Sequence, residues 1–308
     1  FEIQNAYATV MQEIQEYLYL SRTDILEIHN TVSFVDWLDA LNGELSNAHN
    51  YYSFKVFDTY PWVKLYISDD SILLNQLLVG KLKHYSQKFS CILNTIILLE
   101  NIKFESSHDL SDTFIRIPGR WTFDGYGHTI DLGGNTSWGG LIQDMGNDTS
   151  DNRITINNVR IVNGKLNTSE SGCLIRHEDK ITQIQYLNIN NCSNTCDIIG
   201  VNAGGLIGLH AGISGEVNIT NCYNTGNINA QYAGGLVGGF AGYKYGVVNM
   251  KNCYNTGNIT DNQAGGLVGT EAGKQYGEVN ITNCYNTGNI DASGAGGLVG
   301  AYSAIDNG

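Results

Sequence analysis

The chain has 308 residues, 42% of them hydrophobic, and a formal net charge of −13 at pH 7. This apolar content predicts a folded protein with a large core and argues against disorder over most of the length. The excess of carboxylates disfavours nucleic acid as a partner, and the lack of any run of 18 or more apolar residues predicts no membrane-spanning helix.

The first 110 residues predict a mixed α/β region. Apolar residues between positions 7 and 18 recur at helical spacing, and shorter helices are predicted at residues 33–41 and 72–84. The segment CILNTIILLENIKF from Cys91 is rich in isoleucine and leucine, which favours one or two strands leading into the next region. We expect residues 1–110 to cap one end of the β-structure that follows, because an open end would expose unpaired backbone.

Residues 187–308 contain the clearest repeats. The segments VNITNCYNTGNI, VNMKNCYNTGNI and VNITNCYNTGNI begin at Val217, Val248 and Val279, which sets a period of 31 residues. Each copy is followed by the block AGGLVG. Weaker copies continue the frame back to Trp121, so the pattern predicts about six coils at spacings of 30 to 34 residues.

Within a coil, apolar Val217 and Ile219 alternate with polar residues, which is typical of a strand with one buried face. The next step, from Asn221 to Cys222, predicts a bend with the cysteine turned inward. The Leu-Val pair of AGGLVG predicts a second buried patch, and its glycines allow a sharp turn or a close approach between coils. The amides expected to stack into a ladder are those of Asn221, Asn252 and Asn283.

A helical repeat of similar length is the main alternative for the fold. Each repeat, however, has several glycines and β-branched residues and lacks the apolar spacing of an amphipathic helix. The sequence therefore predicts a mainly β protein, a right-handed parallel β-helix over residues 111–308 with coils of about 31 residues. This solenoid would carry a small N-terminal α/β cap.

The chain has seven cysteines, an odd number in a protein large enough to fold without disulfides. Cys192 and Cys196 are separated by three residues, not by the two of a zinc knuckle or redox pair, and no matching His or Cys pair follows. We therefore predict free, mostly buried thiols and no metal ligands.

The tandem CYNTGNI and AGGLVG blocks resemble GLUG-motif repeats, and TFDGYGHTIDL at residues 122–132 is similar to the first coil of pectate-lyase-like β-helix proteins. Together these matches cover roughly residues 121–300. Such repeats occur in bacterial adhesin-like surface proteins, in extensions of IgA-peptidase-type proteins and in repeat proteins of large DNA viruses. The resemblance implies the β-helix fold more firmly than any activity.

Parallel β-helices also include polysaccharide lyases and hydrolases, whose sites need converging carboxylates. The best cluster here is a run of five charged residues, for which a solvated turn, a binding contact and a catalytic site are the alternatives. Asp124 and His128 are better interpreted as turn-forming residues. We predict no catalytic, cofactor-binding or metal-binding residue, and therefore no enzyme. The charged run consists of Arg176, His177, Glu178, Asp179 and Lys180.

Two further rows follow from the 31-residue period. Tyr223, Tyr254 and Tyr285 predict an aromatic row, and stacked tyrosines either cover one another or contact a sugar. The asparagines after them predict a parallel row of amides. These are Asn224, Asn255 and Asn286.

The resemblance implies a noncatalytic structural or adhesive solenoid on the surface of a virion or a cell, on its extracellular face. Expected partners are neighbouring structural proteins, further copies of the chain joined through the C-terminal solenoid edge, and surface glycans; no cofactor is expected. The alternatives are a carbohydrate-active enzyme of the same fold, a secreted bacterial adhesin and a self-assembling fibre.

Overall fold

The computed structural model describes residues 63–67, 93–98, 101–104, 106, 110, 120–143, 152–176 and 184–303. Every regular element in these residues is a β-strand, and no helix occurs among them. The helices predicted at residues 7–18, 33–41 and 72–84 lie outside the described residues. The strands that are described are numbered β1 to β19 along the chain.

One strand from each successive coil joins a parallel sheet of eight strands, the first sheet, in which chain order and spatial order coincide. Each of the six predicted coils contributes one of its members. The members are β1 (Val63–Ile67), β2 (Leu93–Leu98), β4 (Arg120–Asp124), β7 (Asn152–Asn157), β11 (Ile184–Asn190), β14 (Glu216–Thr220), β16 (Val247–Lys251) and β18 (Glu278–Thr282).

A second parallel sheet, of seven shorter strands, follows the first one around each coil. Its members are β3 (Ile102–Lys103), β5 (Thr129–Asp131), β8 (Arg160–Val162), β12 (Ser193–Asn194), β15 (Tyr223–Asn224), β17 (Tyr254–Asn255) and β19 (Tyr285–Asn286).

Two short pairs complete the coils. Strand β6 (Ile142–Gln143) pairs with β10 (Ile175–Arg176), and β9 (Lys165–Leu166) pairs with β13 (Asp197–Ile198). Both continue into later coils as single parallel bridges, such as Val237 to Val268 and Ile228 to Ile259. The predicted fold class is confirmed, since all of these sheets are parallel and each coil stacks on the next as a β-solenoid.

The register follows the 31-residue period. Val217 pairs with Val248, and Val248 pairs with Val279, so identical residues lie one above another. The strands predicted from Cys91 are confirmed as β2 and β3. Strands β1 and β2 pair with each other, and β2 pairs with β4, so residues before position 111 also belong to the first sheet. The division of the chain at residue 110 stays a prediction.

The core is a continuous column of side chains along the solenoid axis. In β14, Val217 and Ile219 are buried while their neighbours are half-exposed, as the alternation predicts. Leu236 and Val237 are also fully buried, which confirms the second apolar patch. Each such aliphatic side chain contributes about 1.5–3 kcal/mol relative to an exposed one.

The corner between the two sheets uses asparagine. Asn221 has a φ of 55°, and its equivalents in four other coils have φ between 53° and 55°. This left-handed backbone is costly for most residues, whereas asparagine tolerates it. Because the corner turns the following cysteine inward, Cys222 is fully buried, and the predicted bend is confirmed.

The glycines of AGGLVG lie where neighbouring coils touch. A Cβ atom on Gly235 would stand 2.1 Å from the carbonyl oxygen of Gly266 in the next coil. No side chain fits there, so the close approach predicted for these glycines is confirmed.

Candidate functional site

The predicted tyrosine row lies on the outer surface of the second sheet. The ring centroids of Tyr223 and Tyr254 are 4.9 Å apart, and those of Tyr254 and Tyr285 are 5.1 Å apart. The planes of neighbouring rings differ by only 3° and 4°. Parallel strands in register impose this spacing, because neighbouring strands lie about 4.8 Å apart.

Stacking determines what this row offers to a ligand. Tyr254 has a tyrosine on each face of its ring, so its edge and hydroxyl group are what the row presents outward. Burial, with a smaller contribution from Tyr223 and Tyr285, raises the pKa of Tyr254 above the ordinary phenol value. The geometry therefore favours the covering role of these rings over stacking against a sugar.

The asparagine row that follows the tyrosines points into the solenoid. Asn224 and Asn255 are fully buried, and the Nδ2 of Asn224 donates to the Oδ1 of Asn255 at 2.7 Å. The same Nδ2 atom also donates to the carbonyl oxygen of Gly226 at 2.7 Å. A buried amide must be hydrogen-bonded, and this row satisfies that requirement by linking coil to coil. Asn194 and Asn286 extend the row at its two ends.

Two rows of amides lie on the outside of the solenoid, one at the corner and one on the first sheet. In the corner row, Asn252 donates to Asn221 at 3.1 Å and Asn283 donates to Asn252 at 3.5 Å, which confirms the predicted ladder. A second outer row, on the first sheet, was not predicted. Asn218, Asn249 and Asn280 each donate to the amide one coil earlier, at 3.2, 3.0 and 3.0 Å. The repeat at outward strand positions is the signal that could have indicated it.

The charged run is only partly described. Arg176 ends β10 and is half-buried, with its side chain against Gly139, while His177, Glu178, Asp179 and Lys180 lie outside the described residues. The turn-forming role of Asp124 is observed, because its Oδ1 accepts from the backbone N–H of Tyr126 at 2.8 Å. His128 closes the same turn by donating its backbone N–H to Gly125.

The six cysteines in the described residues are free, and five of them are buried. Burial raises the pKa of Cys196 to about 12 and that of Cys173 well above its ordinary value. A neutral thiol is a poor nucleophile and metal ligand, since both roles need the thiolate. In the parts of the chain described, no three His, Cys, Asp or Glu side chains form a group that could hold a metal ion.

A further pair of stacked tyrosines, separate from the row of three, was not predicted. The rings of Tyr245 and Tyr276 are 5.3 Å apart with planes that differ by 7°, and they lie in the turns that precede β16 and β18. Tyr245 is 73% exposed, far more than the half-buried Tyr223. Their shared spacing of 31 residues could have indicated the pair.

These features define the chain as a parallel β-solenoid protein with rows of stacked residues. No protein-family model matches the sequence, and no curated protein matches it. Among solved structures, the chain is similar to a crystal structure at 1.30 Å resolution of a Bacteroides ovatus protein provisionally named an immunoglobulin A1 protease. That similarity has a TM-score of 0.45 and 17% sequence identity, over 80% of this chain and 85% of that chain.

The resemblance of the repeats to GLUG motifs therefore stays a prediction. No helix that could cross a membrane is found in the residues that the structure describes.

Proposed function

We propose that this chain is a noncatalytic structural or adhesive β-solenoid, displayed on the surface of a virion or on a cell envelope. The observation that supports this proposal is that the rows of polar side chains bond to one another between coils. The amides of Asn218, Asn249 and Asn280 on the outer face bond to one another between coils. Side chains that hold the stack together in this way serve rigidity and are not free for chemistry.

Rigid display is the mechanism that this construction favours. Backbone hydrogen bonds link each coil to the next, for example from Tyr254 to Cys222 at the second sheet and from Leu236 to Leu267 between AGGLVG blocks. Each coil is thus stabilised mainly by its two neighbours, as in other repeat proteins. A rod of this kind resists local opening and keeps its turns at fixed positions, where they can contact a partner.

The test is surface accessibility on intact particles or cells from the source of this protein. A membrane-impermeant amine reagent should label exposed lysines such as Lys244 and Lys251 before lysis, as measured by peptide mass spectrometry. Labelling only after lysis would contradict surface display.

The noncatalytic part of the proposal needs its own assay. The purified chain should release no reducing ends or unsaturated sugars from a panel of polysaccharides. Turnover that is lost in an Arg176→Ala variant with an unchanged unfolding midpoint would contradict it and favour the carbohydrate-active alternative.

A further inference from the structure

The turns between AGGLVG and the next first-sheet strand differ between neighbouring coils in both sequence and length. Their sequences are GLHAGISG at residues 208–215, GGFAGYKYG at residues 238–246 and GTEAGKQYG at residues 269–277. By contrast, CYNTGNI is identical in three copies. Stacking restricts strand positions because each must accommodate its own copy, whereas turn residues are free to vary and to carry binding. We refer to these three turns together as the turn ridge.

Aromatic rings are concentrated on the turn ridge. The ring of His210 lies 5.6 Å from that of Tyr243 in a stacked arrangement, and the edge of Phe240 packs against Tyr243 at 5.8 Å. The Lys244 ammonium lies 5.3 Å from the centre of the Tyr243 ring. These contacts hold the part of the turn that precedes Tyr245, so the exposed ring of Tyr245 projects from a packed base.

The first turn of the ridge is one residue shorter than the second. Ser214 is in register with Lys244, because its N–H donates to Tyr243 and its hydroxyl donates to the carbonyl oxygen of Lys244 at 3.0 Å. The next residue, Gly215, accepts the N–H of Val247, which lies just after Gly246. The shorter turn therefore has no residue in register with Tyr245.

This difference in length leaves one face of a tyrosine ring open. Tyr276 covers one face of Tyr245, while the coil on the other side provides no side chain in register to cover the opposite face. The exposure of the side chain agrees with this geometry, since Tyr245 is 73% exposed. The open face contrasts with Tyr254, whose two faces are both occupied.

Three classes of ligand stack on an open tyrosine face: a cation, a nucleobase and a ring with an apolar face and a polar rim. The exposed Lys244 beside the site repels a cation. Between residues 184 and 303 six carboxylates face three lysines, and this excess of negative charge disfavours the phosphates of a nucleic acid and acidic sugars. Two polar residues adjoin Tyr245: the exposed Lys244 precedes it in the chain, and Ser214 lies in register with Lys244 one coil earlier.

We propose that the open face of Tyr245 binds a sugar ring of a neutral glycan, with Ser214 and Lys244 at its polar edge. This inference rests on the proposed role as a surface-displayed solenoid and identifies the ligand class and contact point of its adhesive face. One ring against one tyrosine binds weakly, so useful adhesion would come from many copies on one surface.

The test compares three variants of the full chain, each displayed in many copies on beads. The quantity measured is the retention of these beads on an array of neutral and acidic glycans. Tyr245→Asn should lower retention on neutral glycans about tenfold, whereas Tyr245→Phe, which keeps the ring face, should retain it. Tyr126→Asn is the matched control, because Tyr126 is 72% exposed and has a φ of 51°, close to the φ of 60° at Tyr245. That control should bind like the unmodified chain.

Three results would overturn the inference: no retention on any neutral glycan, equal retention by Tyr245→Asn, or retention on acidic glycans alone. Its failure is distinguishable from failure of the proposed function. A chain that is labelled on intact particles but retains no glycan contradicts only the sugar site, whereas a chain inaccessible on every intact particle or cell contradicts surface display itself.

Discussion

Asparagine has three distinct roles in this protein, and its neighbours in each coil decide which one applies. At the corner, Asn221 supplies a left-handed backbone conformation. On the first sheet, Asn249 points outward and its Nδ2 bonds to Asn218 at 3.0 Å. Inside the solenoid, Asn255 is fully buried and bonds both to its own coil and to the neighbouring coils. The cost of losing the amide should therefore depend strongly on the row.

Replacing Asn255 with alanine tests the inner row. The change removes the oxygen that accepts a hydrogen bond from the buried Nδ2 of Asn224. It also removes the Nδ2 that donates to the Gly257 carbonyl oxygen. Since each buried unsatisfied group costs about 1–3 kcal/mol, the free energy of unfolding should fall by about 2–4 kcal/mol in urea titrations. Asn249→Ala in the outer row is the control, with an expected loss of about 1 kcal/mol or less. Equal losses in the two variants would contradict the distinction between the rows.

The buried thiols should make the free energy of unfolding fall at alkaline pH. Burial raises the pKa of Cys196 from 9.0 to about 12, so between these pH values the unfolded chain releases a proton that the folded chain keeps. The contribution to stability is complete below pH 9 and is lost as the pH rises towards 12. In Cys196→Ala, the fall of the urea midpoint between about pH 8 and about pH 10.5 should be smaller than in the unmodified chain. An unchanged fall would show that this thiol ionises alike in both states.

At the scale of elements, the 31-residue period was the main predictor of the strand register and of the stacked rows. It placed strands β14, β16 and β18 in register, and it predicted the tyrosine row because in-register strands stack identical residues. It could not show that Asn224 points inward, since the direction of a side chain in a two-residue strand depends on the corner before it.

The exposed face of Tyr245 could not be predicted from the repeats alone either. It arises from a turn that is one residue shorter in the preceding coil, and the effect of that deletion depends on which hydrogen bonds realign the backbone. The helices predicted before residue 85 and the capping role of that region stay predictions, because they lie outside the described residues.

The contact between AGGLVG blocks offers a test at this scale. In Gly235→Ala, the new Cβ atom would lie 2.1 Å from the Gly266 carbonyl oxygen, so the two coils must separate. We expect a loss of about 1–3 kcal/mol, the usual cost of overpacking, in urea titrations.

Gly297→Ala is the matched control at the same position of a later coil. There the nearest atom to a new Cβ is the Cδ1 of Ile290 at 3.9 Å, and stability should change by about 0.5 kcal/mol or less. If Gly235→Ala were as stable as Gly297→Ala, the close approach of the coils would be wrong.

At the scale of the whole molecule, the sheets, the amide rows and the core column all run along one axis. Backbone hydrogen bonds, the inner asparagine row and the buried aliphatic side chains therefore stabilise the same contact, that of each coil with the next. Local propensity and long-range packing agree with each other, which is what specifies a single fold. A rod built in this way suits a structural role, with its variable turns as the places of contact.

The most direct test of that role is the copy number of this chain in purified particles or cell envelopes from its source, measured by quantitative mass spectrometry against their major structural protein. A structural role predicts recovery at a fixed ratio that persists through repeated purification and salt washes. Recovery of the chain only in the free soluble fraction would contradict it.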